Sequence, residues 1–265
     1  MSEATSAGLF RAGKLTEAVA AAQAAVRKAP ADLDARVLLA EFLVFSGNLE
    51  RADVLLDAAS TIDPTTGIVV AEFRQLIRAD MARRQLFRDG RVPELLSDPT
   101  EVQRLQLQAL VALRAGDMAE AAKNATDAEE ARPRAAGFHN DKAFDDFRDA
   151  DDLLAGNVEV LTTTGKYFWI PTERIISAEF HPPKRPRDLI WRRVSMSVSE
   201  GPDGEVYVPA IYAGGEPASD LLRLGRETDW TDPDAGPVRG IGQRVFLAGE
   251  DDIAIMDIGT LRFGA

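Results

Sequence analysis

DLDARVLLAEFLVFSGNLERADVLLDAASTIDP, residues 32–64, holds two apolar-periodic segments parted by Ser46-Gly47-Asn48 and stopped by Pro64. That is the punctuation of a helical hairpin. Gly47, Ala52, Ala59 and Pro64 recur 34 residues earlier as Gly13, Ala18, Ala25 and Pro30, and recur again as Gly116, Ala121, Ala128 and Pro133. Each type has a mechanical reason to be there. Gly reaches the backbone angles of a tight helix-ending turn, Ala lets two helices cross closely, and Pro cannot continue a helix.

A period of 34 residues is the length of one tetratricopeptide repeat, so the hairpins are expected to stack in register. The consensus Trp of the first helix is missing, with Arg36 and Leu105 at its position. The plainer alternative is a generic helical bundle whose Ala and Gly reflect helix propensity. Outward from the central hairpin, residues 2–29 read as a short helix, the Gly13 turn and an Ala-rich second helix. Met81 stands where the next Gly is due, so residues 66–90 read as one longer helix with Val70, Phe73, Leu76, Ile77, Met81 and Phe87 on its apolar side. Pro93 and Pro99 bound a connector, and Thr100 opens a third hairpin running to Ala131.

GFHNDKAFDDFRDADDLLA, residues 137–155, carries six Asp between positions 141 and 152. Phe144, Phe147 and Leu154 can share a helical face, so the spacing predicts a final helix with a solvated acidic side. The run lacks the central Gly and closing Glu of a calcium loop. Beyond Gly156 the apolar period changes from 3.6 to 2. VEVLTTT and YFWI read as a hairpin around a two-residue Gly165-Lys166 turn; RIISAEF, DLIWRRVSMSV, EVYVPAIY, RVFLAG and DIAIMDI supply further short strands, and 218–224 a helical turn. The expected fold is α+β. Tetratricopeptide-like helical repeats occupy residues 1–134, and a small, mostly antiparallel β domain with a leading acidic helix occupies 135–265, as a curved sheet or partly closed barrel.

Lys+Arg number 31 and Asp+Glu 43, a net charge of -12, which disfavours nucleic acid and anionic membranes as partners. No cysteine is present, removing disulfides, thiolate catalysis and Cys-based zinc sites. The N-terminus has no apolar core of signal-peptide length and no apolar run reaches about 18 residues, so cytoplasmic residence is the plain expectation. Thr164-Gly165-Lys166 fails as a phosphate loop, since Val160 and Tyr167 stand where Gly and Ser or Thr are needed; Gly236, Gly240 and Gly242 miss the dinucleotide spacing. His139 and His181 lack His or Cys neighbours. No constellation here asks for a metal or cofactor. Lys184, Arg185, Arg187, Arg192 and Arg193 form one basic cluster, readable as a docking patch or as charges flanking an edge strand.

DADDLLAGNVEVL, GKYFWIP, PPKRPRDLIW, GEVYVPAIY, LLRLGRETDW and GPVRGIGQRVFLAGE occur in this order between residues 137 and 263. In these motifs the chain resembles the ImpE/TagJ accessory proteins of bacterial type VI secretion systems, and the helical-repeat half fits that family's layout. The resemblance implies a noncatalytic adaptor that binds a helix of the small contractile-sheath subunit and, in some systems, associates with the AAA+ ATPase that disassembles the contracted sheath. It brings no catalytic residue. The shared polar residues Arg187, Asp188, Arg226, Asp229, Arg239 and Arg244 fit either salt-bridged turns of the β domain or an interaction surface.

Stacked hairpins leave a concave face lined by their first helices. Asp34, Val37, Glu41 and Phe45 form a stripe at helical spacing, and the same offset adds Phe10, Arg11, Gln103, Gln106, Leu110 and Arg114. Such a lining suits an amphipathic partner helix anchored on Phe10, Val37 and Phe45, with charges setting register. On that reading Phe45→Glu abolishes capture and spares the fold; the alternative is that Val37 and Phe45 are ordinary inter-helix core. A rival from another class is a hydrolase or nucleotide-processing enzyme with Asp188, Asp229 and Arg226 converging on a β-domain pocket.

Overall fold

The computed structural model describes residues 5–62, 67–215 and 219–264; the expected stop at Pro64 and the expected helical start at Ala218 lie outside them. Seven helices come first: α1 (Ser6–Arg11), α2 (Leu15–Lys28), α3 (Leu33–Phe45), α4 (Leu49–Ile62), α5 (Gly67–Asp89), α6 (Glu101–Arg114) and α7 (Met118–Ala131). Thr5, Asp32, Thr100 and Asp117 cap α1, α3, α6 and α7 with a side-chain oxygen, and Gln103 completes a capping box with Thr100. Gly13, Gly47 and Gly116 end the first helix of each hairpin at φ of 79°, 77° and 79°. Each is followed by the same pair of bonds, as where the Gly47 and Asn48 N–H groups donate to the carbonyls of Val44 and Leu43. This paired-bond ending satisfies orphan carbonyls and needs a left-handed residue, which is why Gly marks the repeat. Ala18, Ala52, Ala59, Ala121 and Ala128 are buried where helices cross, whereas Ala25 is exposed.

Residues 137–155 form no helix. They give β1 (Gly137–His139), β2 (Lys142–Phe144), β3 (Phe147–Asp149) and a turn, because four of the six aspartates bond to backbone while Asp141 and Asp145 are exposed. Asp146 accepts from the Ala135 and Phe147 N–H groups, Asp149 from Asp151, Asp151 from Leu153 and Gly240, and Asp152 from Val238. Side-chain acceptors of this kind compete with helix formation. The remaining elements are β4 (Asn157–Leu161), β5 (Tyr167–Pro171), β6 (Ile175–Phe180), β7 (Trp191–Val198), β8 (Gly204–Pro209), α8 (Asp220–Arg223), β9 (Thr228–Trp230), β10 (Gly240–Gly242), β11 (Val245–Ala248), β12 (Asp251–Ala254) and β13 (Thr260–Phe263). They make an eight-stranded sheet in the order β2-β1-β13-β6-β7-β8-β4-β5, a three-stranded sheet β12-β11-β3 and the pair β10-β9, and the strand pairings are antiparallel. The β4–β5 connection is longer than the two-residue turn expected from Gly165-Lys166. Leu161 faces Tyr167, and the loop between them closes through the Thr162 N–H donating to the Lys166 carbonyl.

One apolar core lies inside the β half, around Phe147, Val194, Val208, Phe246 and Ile255. The other runs across both halves: Phe10, Phe42, Phe73, Leu76 and Leu110 from the helices meet Leu161, Trp169, Ile190, Trp191 and Tyr212 from the strands and loops. The Phe73 and Trp191 rings meet edge-on with centroids 6.0 Å apart. The α5–α6 connector also docks on β5, its Glu94 N–H donating to the Tyr167 carbonyl and its carbonyl accepting from Trp169. That covers an otherwise open sheet edge.

Candidate functional site

The concave face is filled by the chain itself. Phe10, Glu41, Phe45, Gln103, Gln106 and Leu110 are all buried, so they do not line an open groove for a partner helix. Phe10 stacks on Phe42 at 4.9 Å and packs against Phe45 at 5.2 Å. Gln103 donates to the Asn157 side-chain oxygen at 2.8 Å, and Gln106 meets the Asn157 amide at 2.5 Å. Val37 and Arg114 are half-buried, the first against the shared core and the second donating to the Leu86 carbonyl; Asp34 and Arg11 are exposed. The physical reason is a shared surplus. The first helices and one face of the β half each carry more apolar surface than they can bury alone, and each covers the other.

The six polar β-domain residues are engaged in holding the chain together. Arg187 is buried over the Phe73 ring at 4.6 Å, with its guanidinium 3.6 Å from Glu41 of α3. Burial pushes the Glu41 carboxyl up to about 7, outweighing the pull of Arg187. Arg226 donates to the carbonyls of Phe10 at 2.8 Å and Arg11 at 2.9 Å, tying α1 to the β half. Asp188 accepts from the Lys184 and Arg185 N–H groups within its own turn, and Asp229 from Trp230. Arg239 donates to the Gly214 carbonyl at 2.7 Å. Asp188, Asp229 and Arg226 therefore bond in different places and do not converge on one pocket. The basic cluster is likewise divided, since Arg187 and Arg192 point inward while Arg193 pairs with Glu205 at 2.8 Å. Arg192 sits on β7, which has neighbours on both sides and is not an edge.

Beneath the seam lies a buried charge cluster. Arg83 of α5 donates two bonds of 2.9 Å to the Glu159 carboxylate of β4 and one to the Ile211 carbonyl. Arg244 bonds the same carboxylate and donates to Asp149 at 2.9 Å. Tyr167 donates to Glu159 at 2.5 Å and Tyr212 to Asp149 at 2.8 Å. Burial alone would raise the Glu159 carboxyl, but Arg83 and Arg244 hold it down at about 2. Glu159 is thus an ionised anchor shared by both halves.

Directly beside this cluster opens a cleft of about 660 Å³ between the α3–α4 turn, the last turns of α5 and the loop 211–215. Its apolar wall includes Phe45, Met81, Phe87 and Tyr212, and its charged lining is Arg84, Arg88 and Arg223 against Glu50. Asp80, Asp89 and Asp220 bond these arginines without lining the cleft, and among the described residues Nη1 and Nη2 of Arg84 and Nη1 of Arg88 make no hydrogen bond. The cleft can take carboxylates and apolar side chains together.

A family model described as ImpE protein matches residues 141–262, and a tetratricopeptide repeat model matches residues 9–77. Over 257 residues, 96% of this chain and 89% of the relative, the sequence is 31% identical to the type VI secretion system accessory component TagJ of Pseudomonas aeruginosa. The chain belongs to the ImpE family. Its fold is also that of the crystal structure of protein VPA1032 from Vibrio parahaemolyticus, with a TM-score of 0.93 at 27% identity, covering 98% of this chain and 97% of that one.

Within this ImpE-family fold, the sequence points to Arg244 as a salt-bridging residue of the β domain but not to its partners Glu159 and Asp149, to Arg83, or to the cleft. A signal existed for the cluster: Glu159 sits inside the apolar strand VEVL, and Arg83 inside an apolar helical face, and a charge in such a place needs a partner. Nothing local says that the two are partners, because 76 residues separate them. The cleft had no signal of its own, since its walls come from three distant segments.

Proposed function

We propose that this protein is a noncatalytic accessory component of a type VI secretion system, working in the cytoplasm, that holds a helix of the small contractile-sheath subunit and links it to the AAA+ ATPase that disassembles the contracted sheath. The observation that carries this reading is the 31% identity with TagJ over 257 residues, a match long enough to span both halves. The shared core supports a rigid adaptor, since a partner bound on one half is then fixed in orientation to a partner on the other. The enzyme alternative loses its constellation, because Asp188, Asp229 and Arg226 are each engaged in separate structural bonds. Among the described residues no helix is long and apolar enough to cross a membrane, which accords with a protein that meets its partners in solution.

The test is reconstitution. The purified full chain is mixed with the small sheath subunit, intact or with its helices deleted singly, and with the ATPase, and complexes are followed by calorimetry and size-exclusion chromatography. A complex that disappears with one sheath-subunit helix supports the proposal. Failure of the full chain to bind either protein overturns it.

A further inference from the structure

We infer that residues 182–189, the arm joining β6 to β7, form a pH-gated latch that seats Arg187 in the helical hollow and withdraws and reseats while the two halves stay joined. The β6–β7 ladder starts at Phe180 and Val194, so the excursion between them is far longer than a hairpin needs. Of residues 182–189 only Arg187 is buried; Pro182, Pro183, Lys184 and Arg185 are exposed and Leu189 is half-buried. Pro182, Pro183 and Pro186 stiffen the arm, and the Asp188 carboxylate, accepting from the Lys184 and Arg185 N–H groups, braces it from within. Both ends are pinned to strands, the His181 N–H donating to the Arg193 carbonyl and the Ile190 carbonyl accepting from Ala210. The arm therefore moves as one piece between fixed ends.

Its seat is poorly satisfied. Among the described residues the Arg187 guanidinium makes no hydrogen bond; it lies 3.6 Å from Glu41 and over the Phe73 ring. The indole N–H of Trp191, just after the arm, is also buried with no hydrogen-bond partner among the described residues. Withdrawal hydrates the guanidinium and the carboxylate, which offsets the loss of their contact. The seam needs no change, because Arg83 holds Glu159 by two bonds of 2.9 Å and Arg226 holds the carbonyls of Phe10 and Arg11.

Glu41 sets the balance. The other charges acting on it are Arg185 and Asp188 of the arm, and Glu72 of α5 acts on Arg187. Burial holds the seated carboxyl at about 7, and withdrawal returns it toward 4.5. The seated arm thus binds the proton more tightly. Opening becomes easier as pH rises from about 4.5 to about 7, by up to roughly 300-fold, the equilibrium equivalent of that shift.

Trypsin reads the open arm, since it must take the Arg187 side chain into its own pocket before cutting the Arg187–Asp188 bond. Lys184→Gln, at an exposed position, makes that bond the arm's one target, because Arg185 is followed by Pro186. Full-length chains carrying Lys184→Gln, with and without Glu41→Gln as a mimic of the protonated carboxyl, are digested briefly near pH 5.5 and near pH 8. Singly cut products are identified by mass spectrometry. Near pH 8 the chain retaining Glu41 is expected to be cut after Arg187 faster by roughly 100-fold or more, and near pH 5.5 by only about tenfold, with no cut after the buried Arg83. Equal rates in the two chains near pH 8 overturn the gate. Cutting after Arg187 only together with Arg83, or no cut after Arg187 in the chain retaining Glu41, overturns the latch itself.

Discussion

Arg83 of α5 and Glu159 of β4 are joined by two hydrogen bonds of 2.9 Å, with side chains only 3% and 0% exposed, and this pair fastens the helical half to the β half. Glu159→Gln leaves Arg83 and Arg244 buried with no full negative charge between them. We expect a loss of about 3–5 kcal/mol, the usual cost of removing one partner of a buried pair, measured by urea unfolding at neutral pH. The native Glu159 pair contributes fully above the ordinary glutamate range and is lost as pH falls toward about 2, so the difference between native and variant narrows in acid.

Phe45→Glu places a carboxylate between Phe10 and the shared core, where Phe45 is 5% exposed. The expected outcome is global destabilisation of several kcal/mol, roughly the range for gutting a buried aromatic site, and not the selective loss of partner binding expected from the sequence. A thermal melt separates the two: an unchanged melting temperature with lost binding would show that Phe45 is a partner contact and not core.

Glu41 gives the seam a pH dependence. Its carboxyl is raised from about 4.5 to about 7, so the folded state holds a proton that the unfolded chain has released. Stability contributed at this site is therefore greatest below about 4.5, declines as pH rises between those values, and is flat above about 7. Glu41→Gln mimics the protonated form. We expect it to match the native protein near pH 4.5 and to exceed it at pH 8, by up to roughly 3 kcal/mol from the size of the shift. Equal stability at both pH values would show that Arg187 neutralises Glu41 fully.

Gly240→Ala is expected to disturb the charge cluster from a distance. A Cβ at position 240 would overlap the Tyr212 ring, whose hydroxyl donates to Asp149. Overpacking of this kind costs about 1–3 kcal/mol. The near-ultraviolet circular dichroism of the aromatic residues should change along with the melting temperature; a change in neither would mean that the ring has room to move.

The sequence by itself determined what local rules govern. The Gly-Ala-Pro spacing placed the helical hairpins, because a helix-ending Gly and a crossing Ala act within a few residues of themselves, and the Met81 break correctly gave α5 its extra length. The change of apolar period marked the strands after Gly156. Local rules failed at residues 137–155, where a helical spacing of Phe and Leu was overruled by β1 pairing with β13, more than 100 residues away, and by aspartates that accept backbone N–H groups. Only the tertiary structure decided that the hollow of the helical stack is closed by Arg187, Trp191 and Tyr212, that Glu159 finds Arg83, and that an arginine-lined cleft opens at the seam. Two apolar surfaces with no sequence proximity cover each other because burial rewards area regardless of chain order, and no pattern read along the chain carries that information.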